Sequence, residues 1–182
     1  MTGHSYFLLT ERLKFRHWTA ADLPLAMKLW GDSDVTKLIG GPFSPEQVQA
    51  RLDKEIAAQA DHDIQYYPFF LLESSVDAEE EFVGCSGLRL YPSDPNIFEI
   101  GFHLCKDFWG KGYAFEAAQG MIHYAFKTFP SLTGLFAGHN PQNDSSRHLL
   151  FKLGFQFSHE EFYPPTGLMH PSYMLKRSSI EH

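Results

Sequence analysis

The run Asp107-Phe108-Trp109-Gly110-Lys111-Gly112-Tyr113-Ala114-Phe115-Glu116 combines two closely spaced glycines, a lysine and a stretch of helix formers. Glycines at a strand-to-helix turn let the backbone approach a bulky anion. The unpaired amides and positive dipole end of the following helix then favour phosphate. Lys111 adds a positive charge. The run is too short for a P-loop and lacks the third glycine of a dinucleotide fingerprint. A Gly-x-Gly turn is equally the ordinary punctuation between a strand and a helix. Cys85 and Cys105 match no zinc or redox spacing and are too few for a disulfide scaffold, so they read as buried thiols in a reducing compartment, with no metal centre expected.

To serve as an anion site the loop needs a strand before it and a helix after it. Ile97 to Cys105 is rich in branched and aromatic residues, and beyond the loop Ala114, Ala118, Met121, Ile122 and Ala125 share one helical face. Upstream, Leu13 to Trp18 alternates as a half-buried strand. Leu23, Ala26, Met27 and Trp30 have helical spacing, and Ser44-Pro45-Glu46-Gln47 opens a helix over about 45 to 60 with the stripe Val48, Leu52 and Ile56. Ile64 to Leu72 and Phe82 to Leu90 read as a hairpin across the acidic run Asp77 to Glu81. After Pro130 come a strand at Leu132 to Gly138, a helix from about Gln142 to Gly154, and strands near Phe155 to Phe162 and Met169 to Leu175. This order predicts an α/β (α+β) fold with a mixed seven-stranded sheet and helices on both faces.

The 182 residues, 43% apolar and 20% charged, suit one globular domain over 1–182 with a core at about 9–175. With 22 acidic against 15 basic side chains, the net charge of -7 argues against a nucleic-acid partner and favours a cationic one. The start lacks a basic leader region, and no stretch reaches the 18 or so apolar residues of a membrane span, so the expected location is cytoplasmic with no membrane partner.

Four segments, in order and spacing, resemble the GNAT superfamily of acyl-CoA-dependent N-acetyltransferases, in particular its ribosomal-protein-alanine (RimJ/RimL-like) acetyltransferases. They are Glu11-Arg12-Leu13, Glu99-Ile100-Gly101-Phe102, Trp109 to Ala114 with Glu116, and Asn143-Asp144-Ser145-Ser146 ahead of Leu153-Gly154-Phe155. The resemblance implies a mostly antiparallel sheet whose central parallel strands splay around the pantetheine arm of acetyl-CoA. His103 and Leu104 would offer backbone groups to the arm. Trp109, Gly110, Lys111, Gly112, Tyr113 and Ala114 would form the pyrophosphate loop, and Asn143 and Ser146 would flank the thioester. Two departures stand out: Asp107 where many members carry Gln or Arg, and Leu150 where many carry a tyrosine that protonates the thiolate.

The implied reaction is direct attack of a primary amine on the thioester in a ternary complex. The amine must be neutral, which at pH 7 costs about 4.6 kcal/mol for a lysine but only about 1 kcal/mol for an α-amine. Glu99, on one strand face with Gly101 and His103, is the leading base; its other reading is a solvated strand carboxylate. Glu160 and Glu161 stand second. Ser146 either assists the sulfur or caps its helix, and His139 has an intrinsic pKa suited to proton transfer. Tyr163, His170 and Tyr173 lie in or beside the loop expected to border the acceptor, although Tyr173 equally suits strand packing. The acceptor is then a peptide or protein N-terminus or a small cationic amine, and the chain a monomer or homodimer. The competing reading is a non-catalytic acyl-CoA-binding sensor or interaction module.

Overall fold

The computed structural model describes residues 4–73 and 80–180. Its strands are β1 (Leu8–Leu9), β2 (Leu13–Phe15), β3 (Tyr66–Leu71), β4 (Phe82–Leu90), β5 (Ile97–Leu104), β6 (Gly134–Gly138), β7 (Gln156–Tyr163) and β8 (Leu168–Lys176). The helices are α1 (Leu23–Trp30), α2 (Ser33–Thr36), α3 (Pro45–His62), α4 (Tyr113–Thr128) and α5 (Asp144–Lys152). The strands form one sheet in the order β1-β2-β3-β4-β5-β6-β8-β7, antiparallel throughout except for β5 beside β6.

The expected seven strands become eight because Leu8 and Leu9 pair with Phe15 and Lys14. Two residues are too few to show alternation. Helix α2, one turn long, escapes notice for the same reason. The cap of α3 is as its sequence predicts: Gln47 N donates to Ser44 Oγ at 3.2 Å and Ser44 N to Gln47 Oε1 at 2.8 Å. The hairpin of β3 and β4 also forms, with Tyr66 opposite Gly87 and Phe70 opposite Phe82. Of its acidic run, Asp77, Ala78 and Glu79 lie outside the described residues.

Strand β3 is buried on both faces because helices cover both. Tyr66 N donates to Glu55 Oε2 of α3 at 2.8 Å, while the neighbouring Tyr67 ring meets Tyr124 of α4 with centroids 6.0 Å apart. Between α1 and the sheet, Trp18 contacts Trp30 and Phe82, and Phe82 contacts Phe70. Full burial of such a ring contributes roughly 1.5–3 kcal/mol. Much of the aromatic excess is therefore core.

The feature that makes a site is a break in pairing. Strands β5 and β6 share only three partners, Ile97 with Gly134, Phe98 with Leu135 and Glu99 with Phe136. Beyond Glu99 they diverge. On its other side β5 stays bound to β4 as far as Leu104.

Candidate active site

The glycine loop sits where β5 ends and α4 begins. Gly110 and Gly112 hold φ of 73° and 82°, the left-handed region that glycine adopts without strain. The amides of residues 110–115 have no acceptor among the described residues. They form a cluster of donors at the positive end of a 16-residue helix. One turn into α4, Glu116 accepts from Thr10 Oγ1 at 2.6 Å, Arg12 N at 2.7 Å and Arg12 Nε at 2.6 Å. Arg12 also donates to Lys111 O at 3.0 Å and lies over the Tyr113 ring. Burial alone would raise the Glu116 carboxyl, but the hydrogen bonds from Thr10 and Arg12 hold it below the usual carboxylate range. The turn between β1 and β2 thus braces the loop.

The diverging strands open a cleft of about 780 Å³ whose walls include Phe102, Leu104, Gly110, Gly112, Asn143 and Ser146. Alternation along β5 decides which backbone groups face it. Cys105 N donates to Val83 O at 2.9 Å, and by two-residue alternation residues 101 and 103 also bond toward β4. The backbone groups of Phe102 and Leu104 face the gap instead, and Trp109 Nε1 donates to Leu104 O at 2.9 Å.

On the α1 and α3 side, Glu99, Gly101 and His103 share a face as their spacing predicts. Tyr66 Oη donates to Glu99 Oε1 at 3.5 Å, and a Cβ on Gly101 would lie 2.2 Å from that hydroxyl oxygen. Only glycine leaves Tyr66 its place. Burial raises the Glu99 carboxyl above the usual range, against the pull of Arg89 and the Tyr66 hydrogen bond. Arg89 lies 3.9 Å over the Tyr66 ring and pairs with Glu55 at 2.6 Å. Trp30 Nε1 donates to His103 Nδ1 at 3.1 Å, and burial with the nearby Arg51 and Arg89 keeps that imidazole neutral. Its proton therefore resides on Nε2.

Across the gap, Asn143 caps α5 by accepting from Ser146 N at 3.0 Å. The cap role falls to Asn143, and the Ser146 hydroxyl, on the cleft wall, has no hydrogen-bond partner among the described residues. Leu150 is buried at the same wall.

Comparison with known proteins bears on this arrangement. Residues 12–156 match the family described as "Acetyltransferase (GNAT) domain". The chain belongs to the GNAT acetyltransferase family. The N-acetyltransferase p20 of Bacillus licheniformis, itself uncharacterized, is 31% identical over 155 residues, 82% of each chain. A GNAT-family acetyltransferase from Bacillus anthracis superposes with a TM-score of 0.78 at 26% identity, covering 94% of this chain and 98% of that one. A RimL ribosomal L7/L12 alpha-N-protein acetyltransferase in complex with coenzyme A has a TM-score of 0.76 at 14% identity, covering 94% and 98%. At that identity the last likeness concerns the fold alone.

For a GNAT acetyltransferase the loop and the gap are where acetyl-CoA is expected, and they fit it: two left-handed glycines, free amides and an unpaired strand edge. Several expected residues stand elsewhere. The backbone of His103 bonds to β4, so Phe102 takes its place beside Leu104, and it is the His103 side chain that reaches the cleft. Lys111 is exposed, its Nζ 5.6 Å from the Phe108 ring centroid, outside the cleft lining. Tyr173 is buried in β8 against His139, Phe151 and Phe157 and is not a lining residue. His139 donates from Nδ1 to Asn140 O at 2.8 Å and accepts at Nε2 from Tyr173 Oη at 3.1 Å, which leaves neither nitrogen for a substrate. Tyr163 and His170 do line the cleft, with His170 Nε2 2.8 Å from Thr166 Oγ1.

Arg51 and Arg89 do not stand out in the sequence as site residues, yet both line the cleft, beside Tyr66 of the aromatic run Tyr66 to Phe70. The available signal was the buried stripe of α3, where Arg51 and Glu55 occupy i+3 and i+7 from Val48.

The brace yields a first prediction. Glu116→Ala frees Arg12 and Thr10 from α4 and unfixes the loop. The Kd for acetyl-CoA, by calorimetry, is expected to rise about 10-fold, the size of one or two charge-assisted hydrogen bonds. An unchanged Kd would mean that the loop holds its shape without the brace.

Proposed function

We propose that this acetyltransferase moves an acetyl group from acetyl-CoA to a primary amine by direct attack in a ternary complex, acting in the cytoplasm. The observation that carries the reading is the gap between β5 and β6, flanked by the free amides of residues 110–115 and by the buried carboxyl of Glu99. The amides of 110–115 hold the pyrophosphate, and the facing backbone groups of Phe102 and Leu104 hold the pantetheine arm. Glu99 takes the proton of the ammonium, directly or through water. The freed nitrogen pair forms the bond to the acetyl carbon, the C–S bond breaks with its pair on sulfur, and the second proton left on the new amide nitrogen passes to that thiolate, giving a neutral amide and free thiol. Ser146, whose hydroxyl is otherwise unused, donates to the departing sulfur in place of the tyrosine that Leu150 replaces.

A base with a raised pKa suits this task, because it narrows the gap to the amine it deprotonates. The acceptor fitted best on energy is an α-amine, as at a peptide or protein N-terminus, or a small amine of comparable basicity. The motif run and the RimL-like neighbour support a place beside the ribosomal-protein-alanine acetyltransferases.

The test incubates the protein with acetyl-CoA and a panel of N-terminal peptides and small primary amines, reading free thiol and acetylated product by mass. Amine-dependent thiol release with matching product is expected. Release no faster than hydrolysis for every amine would overturn the reading and leave an acyl-CoA-binding module.

A further inference from the structure

Five of the six arginines have an ion pair or hydrogen bonds among the described residues. Arg12 pairs with Glu116, Arg16 with Asp22, Arg89 with Glu55 and Arg147 with Asp144, and Arg177 donates to the carbonyls of Phe126, Phe129 and Leu132. Arg51 has no hydrogen bond or ion pair among the described residues, and its Nε is buried and unpartnered. Its guanidinium lies over two rings, 5.1 Å from the centroid of Trp30 and 5.4 Å from that of Phe43, and it lines the cleft. A cation withdrawn from water without an anion is costly, and proteins ordinarily pair it.

The carboxylate four residues along α3 is already engaged. Glu55 accepts from Arg89 through Oε1 and from Tyr66 N through Oε2, and makes no ion pair with Arg51. Arg89 itself adds positive charge beside Arg51, and burial combines with that charge to make the Arg51 cation less comfortable than a free one. Neutral His103 offers no compensation. At the pocket end formed by α1, α3 and the Tyr66 face of β3, Arg51 is therefore a cation with no ion-pair partner among the described residues.

The phosphates of acetyl-CoA are the wrong anion for it. Their donors lie at the start of α4, and α4 covers the Tyr67 face of β3, whereas α3 covers the Tyr66 face. The side of the cleft that holds Arg51 is the one that holds Glu99, where the acceptor amine must be. Trp30 links the two places, with its ring under Arg51 and its Nε1 on His103, two residues along the same strand face from Gly101 and four from Glu99.

We infer that Arg51 is a specificity residue for the acceptor, and that the primary amine acetylated here also carries a carboxylate, which Arg51 binds through its planar fork of N–H donors while the amine lies at Glu99. This rests on the acetyl-transfer reading above and narrows it. Polyamines and other wholly cationic amines, which the net charge of -7 alone would favour, offer Arg51 no group to bind and drop out. The carboxylate belongs either to a free amino acid or to an acidic side chain near a peptide N-terminus.

The test measures kcat/KM for ω-amino acids from glycine to 6-aminohexanoate, each against its carboxamide, and for peptides beginning Ala-Glu against Ala-Gln. At least one carboxylate is expected to be preferred over its amide by about 10-fold or more, the size of a charge-assisted hydrogen bond lost. The pair showing it separates the free from the peptide-borne source. In Arg51→Gln that ratio is expected to fall to about one, and Arg51→Lys to restore part of it. A ratio is unmoved by general damage to the fold, so a ratio unchanged in Arg51→Gln, or near one in the wild type for every pair, overturns the inference while leaving acetyl transfer intact. If no amine is acetylated, calorimetric titration of the CoA-bound protein with the same pairs still decides it: carboxylate binding lost in Arg51→Gln supports the anion site, and no carboxylate binding ends it.

Discussion

Glu99→Gln is expected to lower kcat by at least about 100-fold with little change in the Kd for acetyl-CoA, since a positioned general base contributes roughly 10²–10⁴ in rate. Glutamine keeps the shape and can still meet the Tyr66 hydroxyl, but it cannot take the ammonium proton. The pH profile carries the sharper signature. The base works only when ionised, so wild-type activity rises with pH through the Glu99 pKa, which burial has raised above the ordinary carboxylate range. That acidic limb should therefore lie higher than an exposed glutamate would place it, and it should vanish in Glu99→Gln. Stability moves the opposite way. A carboxyl whose folded pKa is raised favours folding most below its unfolded pKa, and that contribution is lost as pH rises through the folded value. At neutral pH the variant should be no less stable than wild type. A variant with a normal melting temperature and an unchanged kcat would remove Glu99 from the chemistry.

What the sequence could say followed from period and spacing. The glycine loop, the strand before it and the capping box of α3 each depend on a handful of adjacent residues, and each formed where expected. The pairing of Glu99 with Tyr66 depends on β3 and β5 both flanking β4, a contact between residues 33 apart that no local pattern encodes. His103 was misread for a different reason. Alternation fixes the face of a side chain, but which edge of the strand its backbone serves depends on the partner register, here His103 opposite Cys85. Arg51 was overlooked because a charge on a helix is usually solvated. Its place in the apolar stripe, between Val48 and Leu52, was the exception that mattered.

The largest expected effect on acetyl-CoA binding belongs to Gly112→Glu. Gly112 is the N-terminal cap of α4 at φ 82°, where a side chain costs about 1–2 kcal/mol in backbone strain. A carboxylate there also stands among the amides of residues 110–115, where it competes with the pyrophosphate for their hydrogen bonds and repels its charge. Together these put the loss at about 100-fold or more in Kd. The strain need not reach the core: Gly110 has open space around its Cβ position, and the nearest atom to a Cβ on Gly112 is the Arg12 Nη2, at 3.4 Å, the end of a flexible side chain. The loop can shift while α4 keeps its buried face of Ala117, Ala118, Met121, Ile122 and Ala125. A melting temperature within a few degrees of wild type, with acetyl-CoA binding lost in calorimetry, is the expected pair of results. Gly112→Ala separates the two causes, because it carries the backbone strain without the charge and should lose only about 10-fold. Wild-type affinity in Gly112→Glu would show that the phosphates are held elsewhere, and the amides at the start of α4 would lose their assigned role.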